Sequence, residues 1–232
     1  MTRLSSVLSA RDLPMAELHA LRLDGQLSAL DECFIPVDQP AGLAERARSL
    51  ALHCDGRLIV EQHSAAWVWG ALPQPPTRHE LCASMGARSR SVHPRRLLVR
   101  EVVIGPADYV QIAGVRVTTP LRTAGDLARF AERFDPALVE RLLAGAGLTA
   151  QDCVADLSAR RNLPRKKLAL TRINAIHVVH GVDAAHGAEH AIQVGGVAHL
   201  EDVAAQREAL ARGGDRRRED VDVVLAENPG DV

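Results

Sequence analysis

The chain has 232 residues, 47% of them hydrophobic, and a formal net charge of −1 from 28 basic and 29 acidic side chains. That apolar content can bury a core and excludes an intrinsically disordered chain, while the length allows one domain or two. No run approaches the roughly 18 apolar residues of a membrane span, and residues 1–8 lack the apolar stretch of an export signal, so the expected location is the cytoplasm, with no membrane partner.

Lysine occurs only at Lys166 and Lys167, against 26 arginines. This removes a P-loop G-K-[ST], and it removes the [DE]-x-K pattern of many metal-dependent nucleases, because Pro164 and Arg165 stand two places before the lysines. Cys33, Cys54, Cys82 and Cys153 form no C-x-x-C pair and have no histidine at metal-ligand spacing. They read as small buried hydrophobes, and no disulfide, metal site or cofactor is expected from spacing. The near-neutral total conceals an asymmetry: residues 177–232 hold 5 Arg and 11 acidic residues, a net of −6, which leaves +5 on residues 1–176.

Residues 10–23 read as a short helix or helical pair broken at Leu13-Pro14, with Met15, Leu18 and Leu21 on one side and Asp24-Gly25 as the stop. A hairpin follows, residues 26–30 and 33–37 joined by a turn at Asp31-Glu32. Helix and hairpin together give residues 1–40 the outline of a winged helix-turn-helix; an N-terminal helix with a hairpin docked on the main domain fits the same pattern.

Residues 39–42 read as a linker. Residues 43–54 then form a helix ended by Asp55-Gly56, residues 58–60 a short strand, and Ser64 the cap of a helix that stops at Gly70. Strands are expected at 79–84 and 97–104, flanking a loop over 85–96. A hairpin joins residues 109–112 to 115–117 across Ala113-Gly114.

Next comes the most tightly specified start in the chain. Thr119 is placed to cap a helix with Pro120 at its first position; Leu121, Ala124, Leu127, Ala128 and Ala131 recur at helical spacing, and Arg122 and Asp126 sit four apart. Asp135 with Pro136 opens another helix, Thr149 with Asp152 a third, and the last runs over residues 164–176. Residues 41–176 therefore read as an α+β domain, a small, mostly antiparallel sheet covered by helices. Residues 177–232, acidic and without an aromatic residue, read as an irregular extension with one helix at 200–210.

Three basic groups could meet nucleic acid. Arg11, His19 and Arg22 lie on the N-terminal helical unit among the acids Asp12, Glu17 and Asp24. Arg88, Arg90, His93, Arg95, Arg96 and Arg100 form a cluster with no acid between Glu80 and Glu101. Arg160, Arg161, Arg165, Lys166 and Lys167 gather at a helix junction, where cations also complement the helix dipole. Enzyme chemistry finds little footing: His63-Ser64 is not a G-x-S-x-G elbow, and the tail histidines His177, His180, His186, His190 and His199 lack carboxylates at ligand spacing. Trp67 and Trp69 fit packing better than base stacking.

Taken in order, S-A-A-W-V-W-G-A-L-P over 64–73, the arginine loop ending Val99-Arg100, and G-V-R-V-T-T-P-L-R-T-A-G-D-L-A-R over 114–129 resemble the AbiEi-like antitoxin family of actinobacteria, across roughly residues 10–170. The resemblance implies an N-terminal winged-helix DNA-binding unit and a C-terminal antitoxin domain. It implies a non-enzymatic regulator that represses its own operon by binding its promoter region and counters a nucleotidyltransferase-like toxin. The N-terminal unit is shorter and less basic than the family pattern, and the acidic tail lies outside it. A non-catalytic interaction protein that keeps the antitoxin fold without DNA binding is the alternative. On this reading Thr119, Pro120, Arg122 and Asp126 are structural, and Arg11, His19, Arg22, Arg88, Arg90, Arg95, Arg96 and Arg100 are the DNA-facing candidates.

Overall fold

Helix α1 spans Met15–Leu23 and starts at Pro14, whose φ of −56° suits a helix entrance but which leaves the first amides without a side-chain cap. Upstream of it, Asp12 Oδ2 accepts from both the backbone N–H and the hydroxyl of Ser9, each at 2.9 Å, and so closes a turn over residues 9–12. The structure, a computed structural model, describes residues 6–54, 56–85 and 96–183, with side chains through residue 176.

Strands β1 (Leu27–Leu30) and β2 (Cys33–Pro36) pair antiparallel across Asp31-Glu32, where Asp31 takes φ +55°. Leu8 exchanges two 2.8 Å backbone hydrogen bonds with Phe34 on the outer side of β2. The hairpin is buried on both faces. Leu27 and Phe34 pack with Leu8 against the fully buried Leu18 of α1, whereas Leu30, Cys33 and Ile35 enter the core of the main sheet with Val7.

The helix expected over 43–54 is shorter: α2 covers Leu43–Ser49 and a 3-10 turn covers Leu50–Leu52. Strand β3 (Ile59–Val60) leads into α3, Gln62–Val68, with Glu61 rather than Ser64 at the cap position. Ser64 is instead inside the helix and fully buried. Its Oγ accepts the Glu80 N–H at 2.9 Å, and Glu80 Oε2 accepts the His63 N–H at 2.7 Å, so the neighbouring strand supplies the polar partners at this helix start.

The remaining strands are β4 (His79–Ser84), β5 (Leu97–Val102), β6 (Tyr109–Ile112) and β7 (Val115–Thr118). The sheet order is β5-β4-β3-β7-β6. The α+β class expected from sequence holds, but this sheet is evenly mixed: β3–β4 and β6–β7 run antiparallel, β3–β7 and β4–β5 parallel. A connection as long as residues 85–96 can return the chain to the same end of the sheet, which a two-residue turn cannot do, and strand direction there has no sequence signal. The β6–β7 hairpin turns at Ala113 (φ +48°) and Gly114 (φ +88°), the pair of positive φ values that matches strand twist.

Helices α4 (Pro120–Phe130), α5 (Pro136–Gly145), α6 (Ala150–Ala159) and α7 (Lys166–Asp183) follow. Thr119, Asp135 and Thr149 each accept an N-terminal amide, from Arg122, Leu138 and Asp152 respectively. These helices bury a second core built on Leu127, Leu138, Leu142, Leu157 and Ile173. Gly125 lets α6 approach α4 closely, since a Cβ there would sit 3.2 Å from Leu157. Helix α7 passes the boundary expected at 176 and runs to Asp183; residues 184–232, including the helix expected at 200–210, lie outside the described residues.

Candidate nucleic-acid interface

Met15, His19 and Arg22 fall four and three residues apart along α1, so they share one face, with Glu17 roughly opposite. Arg11, His19 and Arg22 are all exposed and line one cavity of about 610 Å³ between α1 and the β1–β2 hairpin. The His19 ring stands edge-on to Phe34, with centroids 5.4 Å apart, which holds the imidazole against the hairpin. Of the acids that balance this unit in sequence, Asp12 is engaged in its own turn. Asp31, Glu32 and His53 also line this cavity.

Arg88, Arg90 and Arg95 lie outside the described residues, as does His93. The two arginines at the end of that loop face carboxylates. Arg96 donates to Glu32 Oε1 at 2.7 Å and to Asp31 Oδ1 at 3.2 Å, which ties the start of β5 to the hairpin turn. Arg100 grips Glu61 in a two-pronged pair, Nε to Oε1 and Nη2 to Oε2 at 2.7 Å, and lies 3.3 Å from Asp126. Burial alone would lower its pKa, but the Glu61 hydrogen bonds and the charges of Glu61 and Asp126 outweigh that and raise it. The loop has no acid of its own, yet the fold brings four carboxylates to its C-terminal end.

The motif residues form a charge network beneath the sheet. Arg122 donates to Asp126 Oδ2 at 2.8 Å and to Asp108 Oδ2 at 2.9 Å, and Arg129 donates to Asp126 Oδ1 at 2.8 Å. Arg160 extends it, bonding Asp108 Oδ1 at 2.7 Å and Asp156 Oδ2 at 2.8 Å; burial opposes its charge, but these two carboxylates raise its pKa. Phe130 sits among the guanidinium groups of Arg100, Arg129 and Arg165, 4.2 to 5.6 Å from its ring centre. Within the third basic group, Lys166 Nζ caps the end of α6 through the carbonyls of Ser158 and Arg160, while Arg161, Arg165 and Lys167 are exposed.

A serine, a histidine and an aspartate do meet: Ser64 Oγ lies 3.3 Å from His79 Nδ1, and His79 Nε2 lies 2.9 Å from Asp31 Oδ2. The ring nitrogens are exchanged relative to a nucleophilic triad, and Ser64 and His79 are both 0% exposed. The Ser64 hydroxyl is thus packed inside the domain and is not set out as a nucleophile. Trp67 is buried beside it, and Trp69 Nε1 donates to the Thr118 carbonyl at 2.9 Å, so both tryptophans pack the domain.

Thr119 capping α4, Arg122 locked between Asp108 and Asp126, and the β7-to-α4 join define one domain architecture, and residues 58–170 match the family model described as AbiEi antitoxin C-terminal domain. The central domain is AbiEi-like. The AbiEi-like domain takes in the whole five-stranded sheet and helices α3 to α6. Among solved structures, one similar chain is that of the RV2827C protein from Mycobacterium tuberculosis, with 16% identity and a TM-score of 0.39 over 80% of this chain and 78% of that one. No curated protein matches the chain. Among the described residues, no helix is long and apolar enough to cross a membrane.

Proposed function

We propose that this protein is an antitoxin-type transcriptional regulator that binds the DNA of its own promoter region, represses its operon and counters a nucleotidyltransferase-like toxin. The observation that carries the proposal is the antitoxin-domain match over residues 58–170. The exposed Arg11, His19 and Arg22 beside the β1–β2 hairpin add a second support, since a helix that presents basic side chains next to a two-stranded wing suits a groove and its flanking phosphates. Arg88, Arg90 and Arg95 give the intervening loop positive charge for the backbone. Arg96 and Arg100 serve this interface by anchoring the β5 end of that loop to Asp31, Glu32 and Glu61.

Mobility-shift titration of the full chain against its own upstream region, at several salt concentrations, tests the proposal. Affinity should fall linearly on a log-log plot against salt, and a variant carrying Arg88→Ala, Arg90→Ala and Arg95→Ala should flatten the slope by about 0.9 for each phosphate it no longer neutralises. Absence of a shift at low salt would overturn DNA binding and leave the interaction-protein alternative. Co-expression with the product of an adjacent nucleotidyltransferase gene, scored by growth, tests the antitoxin part.

A further inference from the structure

Asp31, His53 and His79 come from three separate elements: the β1–β2 turn, the end of the 3-10 turn after α2, and the first position of β4. Their ligand atoms lie within 4.8 Å of one another. Glu32 lies at the edge of the group, with Oε2 at 3.3 Å from His53 Nε2. We infer that Asp31, His53 and His79 form a binding site for a divalent transition-metal ion of the zinc type, with Glu32 beside it.

The donor set is the first reason. Two imidazole nitrogens and one carboxylate oxygen make an N₂O set that, completed by water, suits a borderline ion such as Zn²⁺.

The outer partners are the second. Each carboxylate gives one oxygen to Arg96, Asp31 through Oδ1 and Glu32 through Oε1, and turns its other oxygen toward a histidine. On the far side of His79, Ser64 Oγ meets Nδ1, which leaves Nε2 as the inward-facing nitrogen. Orientation of ligands by such outer hydrogen bonds is what metal sites require and what a single ion pair does not.

Access is the third. His79 is 0% exposed, but Asp31, Glu32 and His53 line the cavity of about 610 Å³ beneath α1, which gives an ion a route in and room for a water ligand. The site itself does not depend on the DNA-binding reading.

The full chain with His177, His180, His186, His190 and His199 each changed to Ala removes the tail imidazoles as competitors. After chelator treatment, calorimetric titration with Zn²⁺ should give one equivalent bound. Co²⁺ should quench Trp67, whose ring lies 6.3 Å from that of His79. In the same background Asp31→Asn and His53→Gln should each weaken Zn²⁺ binding at least about tenfold, with circular dichroism unchanged. If Asp31→Asn fails to fold, His53→Gln decides on the same two readouts. A folded parent that takes up no Zn²⁺, or uptake that the folded variants leave unaltered, would overturn the inference.

Discussion

Arg122 Nε donates to Asp126 Oδ2 at 2.8 Å across one turn of α4, and only 7% and 1% of the two side chains is exposed. Asp126 also receives Arg129 and lies 3.3 Å from Arg100, so one carboxylate meets three guanidinium groups, of which Arg122 and Arg100 have second partners in Asp108 and Glu61. Asp126→Ala leaves the buried Arg129 without its carboxylate and thins the pairing of Arg122 and Arg100. It should destabilise the protein by about 3–5 kcal/mol in urea denaturation. A loss below about 1 kcal/mol would mean that water or other carboxylates compensate the network.

At the head of the same helix, Thr119 accepts the Arg122 N–H, and Thr119→Ala should cost about 1 kcal/mol of stability. DNA affinity, compared at equal concentration of folded protein, should not change. An altered salt slope in this variant would show that the motif takes part in binding and does more than build the domain.

Leu18 is 0% exposed between α1 and the hairpin, and Leu18→Ala should remove about 2–5 kcal/mol. Because the other hairpin face is set into the main core through Leu30, Cys33 and Ile35, denaturation should remain a single transition. Two resolved transitions would instead mark residues 1–40 as a unit that folds by itself.

His63 Nδ1 lies 2.9 Å from Glu80 Oε2, and that hydrogen bond, opposed by partial burial, raises its pKa above the ordinary 6.5. A histidine whose folded pKa is raised contributes stability that is complete below about 6.5 and is lost as pH climbs through the raised value. With a third of the side chain exposed the effect on stability is small, so NMR is the better probe. The His63 ring titration should move back toward 6.5 in Glu80→Gln, and an unmoved titration would remove Glu80 as the cause.

Much of the fold was legible as local pattern. The caps Thr119, Asp135 and Thr149, the turn at Ala113-Gly114 and the pairing of Arg122 with Asp126 are each specified within about five residues, so their physics is contained in short windows of sequence. Ser64 misled for the same reason. It has the chemistry of a cap, but the amide it satisfies belongs to Glu80 on another strand. The arginine cluster was equally visible as charge, whereas the partners of Arg96 and Arg100, at Asp31, Glu32 and Glu61, are distant in sequence and left no trace in it.

The amino-acid sequence by itself determined the α+β class, the positions of the later helices and the AbiEi-like domain, because hydrophobic period, capping chemistry and motif order are local properties. Only the tertiary structure decided that β4 and β5 run parallel, that the hairpin is buried on both faces, and that His53 and His79 meet Asp31 and Glu32. Those outcomes depend on which strands and loops come together when the core closes, and side chains far apart in sequence become neighbours only through that packing.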